Sequence, residues 1–252
     1  MIRLEISGPI ATATLSREPV NAIDEDWIAR LHDVIHESER AAAVSVLLIR
    51  SSERTFSAGA DLELMRSRFA SAEGRAKMIG FVREMQRAYA RLEESRLVSI
   101  AEIGGAAMGG GLELALACDL RIASVAAKLG LPEGRLGLLP GAGGTQRLTL
   151  LCGGPTAKRL ILGAEVVTGL QAAELGLVHW AVESDALPAR ARELAERIAA
   201  LPAASLEACK RCIGAAGKPD RDGYAMELAA TENLLASAQT QALVRAFLES
   251  RR

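Results

Sequence analysis

Residues 108–119 read MGGGLELALACD, three glycines leading straight into a helix-like run to Ala117 whose first turn carries one charged side chain, Glu113. Before the glycines, LVSIAEI (97–103) is an apolar, partly β-branched run suited to a buried strand, and after the helix DLRIAS (119–124) suits another. Strand, glycine turn, helix and strand in that order argue for an α/β fold. The same alternation extends outward. VSVLLIR (44–50) predicts a buried strand, and Arg3-to-Ser7 and Ile10-to-Leu15 alternate around Gly8-Pro9 as a hairpin would. A helix is expected from Asp24, with Trp27, Ile28, Leu31, Val34 and Ile35 at helical spacing, and a longer one from about Glu73 to Glu94.

The alternation continues to about residue 183, through the loop LPEGRLGLLPGAGGTQRL (131–148) and several helices. Beyond 185 the pattern is helical only: Leu187, Ala191, Leu194, Ile198 and Leu201 share one face, and 221–250 holds one more helix or two. The expected organisation is an α/β core over 1–185 and a helical C-terminal region over 186–252. No low-complexity linker separates them, so the tail is expected to dock on the body or on another subunit.

The chain has 252 residues, room for one large domain or one with an appended subdomain. Thirty basic and 31 acidic residues leave a net charge of −1 with no block of one sign, which argues against a nucleic-acid or anionic-membrane partner. The N-terminus lacks the pattern of a signal peptide, and no run reaches the roughly 20 apolar residues of a membrane span, so a cytoplasmic location is expected.

Several chemistries lack their residues. Cys209 and Cys212 form the only close cysteine pair and sit in a helix-like stretch without a second pair or a nearby histidine. His32 and His36 are four apart, but the glutamate of HExxH and a third ligand are missing. No metal site is therefore expected. There is no G-x-S-x-G elbow, GAGGTQ breaks the dinucleotide fingerprint at Gln146, and no phosphate loop of the G-x-x-x-x-G-K-[ST] type occurs.

Three stretches remain: FSAGAD (56–61), GGAAMGGGLE (104–113) and the 131–148 loop. In the first two, small residues lead into a helix start, where backbone N–H groups have no intrahelical acceptor. Two such amides converging on one point make an oxyanion hole, and glycine or alanine leaves the approach to them open. Taken singly, each stretch has a plain structural explanation: Asp61 as a helix N-cap, Glu113 as a partner of the helix dipole, Glu133 as an exposed loop acid.

Taken together, RTFSAGADLELM, GGAAMGGGLELALACDLRIAS and LPEGRLGLLPGAGGTQRL resemble, in order and spacing, the three signature segments of the enoyl-CoA hydratase/isomerase, or crotonase, superfamily. A weaker resemblance runs from REPVNAI through GAEVVTGLQAAELGLV (163–178) and so covers most of the chain. The resemblance implies a crotonase-like spiral of ββα units, with a C-terminal helical region that serves trimer formation, often as a hexamer, and covers the active site. It implies an enzyme, a lyase of fatty-acid metabolism that adds water across the 2,3-double bond of a 2-enoyl-CoA. Isomerisation of an enoyl-CoA and dehydration of a specialised hydroxyacyl-CoA are the alternatives.

By position the resemblance assigns the oxyanion amides to Ala60 and Gly110 and the two carboxylates to Glu113 and Glu133. Glu113 would activate the water and Glu133 would protonate C2, while Gly111 would turn the chain so that Glu113 faces the substrate. Substrate binding falls on Ala58, Gly59, Ala60, Asp61, Leu62 and Gly110, with the acyl pocket between Met65 and Met85; coenzyme A belongs to the substrate and no separate cofactor is implied. Arg17 is a candidate for the CoA phosphates. The sequence departs from the family pattern at Val98, where many members have proline, at Gly104-Gly105 in place of Asn-Gly, and at Glu63, where some hydratases have lysine.

Overall fold

The computed structural model describes residues 1–250. Strands β1 (Ile2–Ser7) and β2 (Ile10–Leu15) form the expected antiparallel hairpin, turned at Gly8 with φ +57°. The short strand β3 (Ala22–Ile23) precedes helix α1 (Glu25–Arg40), which Asp24 caps by accepting the Trp27 amide at 2.9 Å. Next come β4 (Val46–Ser51), β5 (Thr55–Ser57) and β6 (Gly59–Ala60), then α2 (Leu62–Phe69) and the 23-residue α3 (Ala72–Glu94). β7 (Val98–Ile103), β8 (Ala106–Met108) and α4 (Gly110–Ala117) repeat the pattern, as do β9 (Leu120–Ser124), β10 (Lys128–Gly130), a 3-10 turn (Pro132–Leu136) and α5 (Gly144–Leu162). The chain continues through β11 (Val166–Thr168), α6 (Gly169–Glu174) and β12 (Trp180–Val182) to α7 (Leu187–Ala199), α8 (Ala203–Ile213), α9 (Gly223–Ala236) and α10 (Ala238–Glu249).

Each turn of this spiral gives one strand to a large sheet and the next to a small one. The large sheet runs β1-β2-β4-β7-β9-β12, parallel from β2 onward, and the small one runs β11-β10-β8-β5. Alternation along the large sheet's strands sorts two cores. Leu47, Ile49, Ala101 and Ile103 face α1, α3 and α4, whereas Val46, Leu48, Ile100 and Ile122 face Leu187, Ala191 and Leu194 of α7. Because both faces are covered, all six residues of β7 are buried, as expected for a central parallel strand. The result is the α/β spiral with a C-terminal helical region that the family resemblance implied.

The differences are local. Helix α2 starts at the N-cap expected of Asp61 but is only eight residues long and fully buries none of them, so the sequence marks its start and not its extent. Helix α5 breaks at Gly153, with φ +78°, two residues before Pro155. Leu201 lies beyond the end of α7 and is exposed, so only the first four positions of the expected stripe share that helix. The segment after 221 forms two helices, and none of α8, α9 and α10 fully buries a residue. No helix among the described residues is long and apolar enough to cross a membrane.

Candidate active site

Two backbone stretches meet at the end of α4. Strand β6 pairs with β3, Gly59 opposite Ala22 and Ala60 opposite Ile23, and the Asp61 amide continues the ladder by donating to Ile23 O at 2.9 Å. Asp61 then caps α2 by accepting from the Glu63 and Leu64 amides. Opposite, Gly109 takes φ +51° and ψ −125°, a conformation that favours glycine, and Gly110 opens the helix. A Cβ on Gly59 would lie 2.8 Å from Met108 O and 3.1 Å from the Gly110 nitrogen. One on Gly110 would lie 3.7 Å from the Ala60 nitrogen. The small residues therefore let the Ala60 and Gly110 amides stand side by side.

The turn itself belongs to Gly109. Gly111 does not redirect the chain, as the sequence had suggested; it keeps a negative φ, and its hydrogen leaves room for Ser57, whose carbonyl oxygen would lie 2.4 Å from a Cβ there.

Glu113 lies one turn into α4 and is only 2% exposed. Its Oε1 accepts the Gly144 amide at 2.7 Å, and the Ala142 amide nearby also favours its charged form. Burial dominates its titration, and together with the nearby Glu133 charge it outweighs these amides, raising the pKa to about 7. Glu133, in the 3-10 turn, reaches the same glycines: its Oε1 would be 2.9 Å from a Cβ on Gly109. Burial raises its pKa as well, and its Oε2 is enclosed without a hydrogen-bond partner. The fold thus brings together Ala60, Gly110, Glu113 and Glu133 from three separate segments.

This arrangement has clear chemical capacities. A carboxyl titrating near neutrality can take up and return a proton at physiological pH, and an enclosed second carboxyl can supply one. Adjacent amides, one of them at a helix N-terminus, can stabilise an anionic oxygen. Met85 and Ile23 wall the pair, with the Met85 Cε and Ile23 Cδ1 at 2.7 and 3.5 Å from a Cβ on Gly110.

The remaining candidates lie elsewhere or serve structure. Arg17 is already engaged, with Nη2 2.8 Å from Asp24 and 3.0 Å from Asp61 and Nη1 donating to Ala22 O, so it supports the AGAD turn rather than standing open to a phosphate. Leu62 and Ala58 are exposed beside that turn. His32 is half-buried and His36 exposed on α1, and His179 accepts the Arg121 amide through Nδ1. Cys209 and Cys212 are both free thiols. Among the described residues no group of three His, Cys, Asp or Glu could hold a metal ion. Gly105 approaches Arg54 so closely that a Cβ would overlap its carbonyl, which explains a glycine there.

Sequence reasoning missed the Ala142 and Gly144 amides. GAGGTQ failed as a nucleotide fingerprint, yet glycines at a helix start still offer an unpaired amide, and here that of Gly144 binds Glu113.

The chain matches the family described as Enoyl-CoA hydratase/isomerase over residues 5–252. It is 35% identical to the short-chain-enoyl-CoA hydratase of Clostridium acetobutylicum over 99% of this chain and 95% of that protein. Its fold matches Pseudomonas aeruginosa DspI with a TM-score of 0.91 at 36% identity, covering 99% of this chain and 94% of that one. It matches the enoyl-CoA hydratase of Bacillus anthracis with a TM-score of 0.90 at 31% identity, covering 99% and 96%. With its full-length spiral, its paired amides and its match across nearly every residue, this chain belongs to the enoyl-CoA hydratase/isomerase family of enzymes.

Proposed function

We propose that the protein is an acyl-CoA hydratase, a lyase that adds water reversibly across the 2,3-double bond of a 2-enoyl-CoA to give the 3-hydroxyacyl-CoA. The observation that carries this reading is the proximity of two raised-pKa carboxyls: Glu133 abuts Gly109, and Glu113, one turn into the helix that Gly110 opens, senses the Glu133 charge. In the proposed reaction the thioester oxygen lies between the Ala60 and Gly110 amides. Glu113 takes a proton from water as its oxygen bonds to C3, and the double-bond electrons move through C2 to the thioester oxygen. Glu133 gives its proton to C2, the enolate collapses, and Glu133 regains the proton that Glu113 took. Stabilising the enolate is where the amides matter most, since one such donor typically contributes about 3–4 kcal/mol.

The backbone of Ala58, Gly59, Ala60, Asp61 and Leu62 would hold the pantetheine and thioester end, and the reaction draws on no cofactor beyond the CoA of its substrate. The Leu228, Leu235, Leu243 and Leu248 side chains of α9 and α10 are all more than half exposed, which supports a second copy as their cover in a homotrimer or homohexamer. Light scattering at assay concentration tests the assembly. Loss of crotonyl-CoA absorbance tests the activity: turnover that survives in both Glu113→Gln and Glu133→Gln, or turnover of 3-enoyl-CoA without hydration, would overturn the hydratase reading.

A further inference from the structure

Three consecutive glycines are a poor material for a rigid donor. They lack side chains that could pack, and each has access to more backbone conformations than any other residue. An oxyanion hole nevertheless works only if its dipoles are fixed before reaction. Something outside the turn must therefore hold it. The Gly109 amide is tied to Gly130 O at 3.0 Å, and Gly111 is packed against Ser57. For Gly110 the outside contact is Tyr89 of α3, whose hydroxyl donates to the Gly110 carbonyl at 2.9 Å.

We propose that Tyr89 is a positioning residue for the oxyanion hole, clamping the Gly110 carbonyl from α3 so that the Gly110 N–H stays aimed beside that of Ala60. This rests on the reading that those two amides bind the thioester oxygen. Among the described residues Tyr89 is the only one whose side chain donates a hydrogen bond to the three glycines. It has no exposed surface, and burial, reinforced by the nearby Glu113 charge, raises its pKa well above the ordinary tyrosine value, so it remains a donor. The Gly110 carbonyl is in the first turn of α4, where a helix can also bond it from four residues on; the phenol therefore adds direction rather than rescuing an orphan acceptor. Because α3 also supplies Met85 against Gly110, the helix contacts the hole through both a donor and a wall.

The test compares wild type, Tyr89→Phe and a packing control, Leu92→Val, which trims another fully buried residue of α3. Each is saturated with acetoacetyl-CoA, whose enolate absorbs in the near ultraviolet when donors stabilise it, and each is assayed for crotonyl-CoA hydration. The expected result for Tyr89→Phe is a weakened enolate band and a kcat about tenfold lower, with KM within about twofold, a fraction of the loss for deleting a donor outright. Leu92→Val should lower the melting temperature while leaving band and kcat unchanged. A Tyr89→Phe protein with the wild-type band overturns the proposal, and so does a loss that Leu92→Val shares. If wild type forms the band but hydrates nothing, the hydratase reading fails while Tyr89 is still judged by its band. A wild type that forms no band refutes both.

Discussion

The large sheet carries a buried glutamate on each side. Glu113 belongs to α4 on the inner face, and Glu102 lies on β7 facing α7, with its own Oε2 enclosed and unpartnered. Burial raises both pKa values, so neither burial nor a raised pKa distinguishes them. Their neighbours do. Glu113 accepts the Gly144 amide, senses the charge of Glu133 and stands one turn along from the Gly110 N–H. Among the described residues Glu102 has a single charged partner, Arg50, whose Nε is 3.9 Å away and lowers its pKa somewhat. A perturbed carboxyl becomes a candidate catalyst when a second acid and a place for the reacting atom converge on it.

The sharpest way to break this contrast is by rate. Glu113→Gln is expected to lower kcat for crotonyl-CoA hydration by about a thousandfold, roughly 4 kcal/mol of barrier, with Glu102→Gln within about twofold of wild type. Comparable losses in the two variants would erase the distinction. Next comes pH. Glu113 titrates near 7 when folded, against 4.5 ordinarily, so it is neutral in both folded and unfolded states below about pH 4.5. As pH rises, the unfolded chain loses this proton first, and stability falls until about pH 7, by roughly 3 kcal/mol. Urea unfolding at pH 5 and pH 7.5 should show that decline in wild type and a flatter dependence in Glu113→Gln. The kcat/KM for hydration should fall on the acid side of about pH 7, as Glu113 is protonated.

Glu102 carries the same sign, since its folded pKa is also raised, so Glu102→Gln should raise the melting temperature at pH 8 more than at pH 5. The smallest effect concerns Arg50. Removing it in Arg50→Gln takes away the half-exposed charge facing Glu102 and should cost under about 1 kcal/mol at pH 8 and less at pH 5. Equal costs at both pH values would show that Arg50 acts through packing alone.

How much of this was legible in the sequence depended on burial. The hairpin, α1, α3, α7 and the central strands each bury one face or two and so leave a period in the chain. Helix α2 fully buries no residue, and only its start at Asp61 was marked. At the site, Glu113, Glu133, Ala60 and Gly110 were marked by their resemblance to family motifs, and their convergence is a product of the spiral. Tyr89 sits in α3 as one apolar position among several, and only its contact with a glycine carbonyl sets it apart from Phe81 or Leu92. Gly109 and Gly111 look interchangeable in MGGG, yet one needs a positive φ and the other needs space.

The contact between Gly59 and the Gly110 turn also bears on how the enzyme is made. Its two halves come from separate turns of the spiral, so the donor pair does not exist in any local fragment and forms only once distant strands have docked. Such non-local contacts are slow to assemble because the loop between them must close first. During refolding, recovery of an enolate-binding signal should trail recovery of helical circular dichroism, making the hole a late reporter of correct chain assembly.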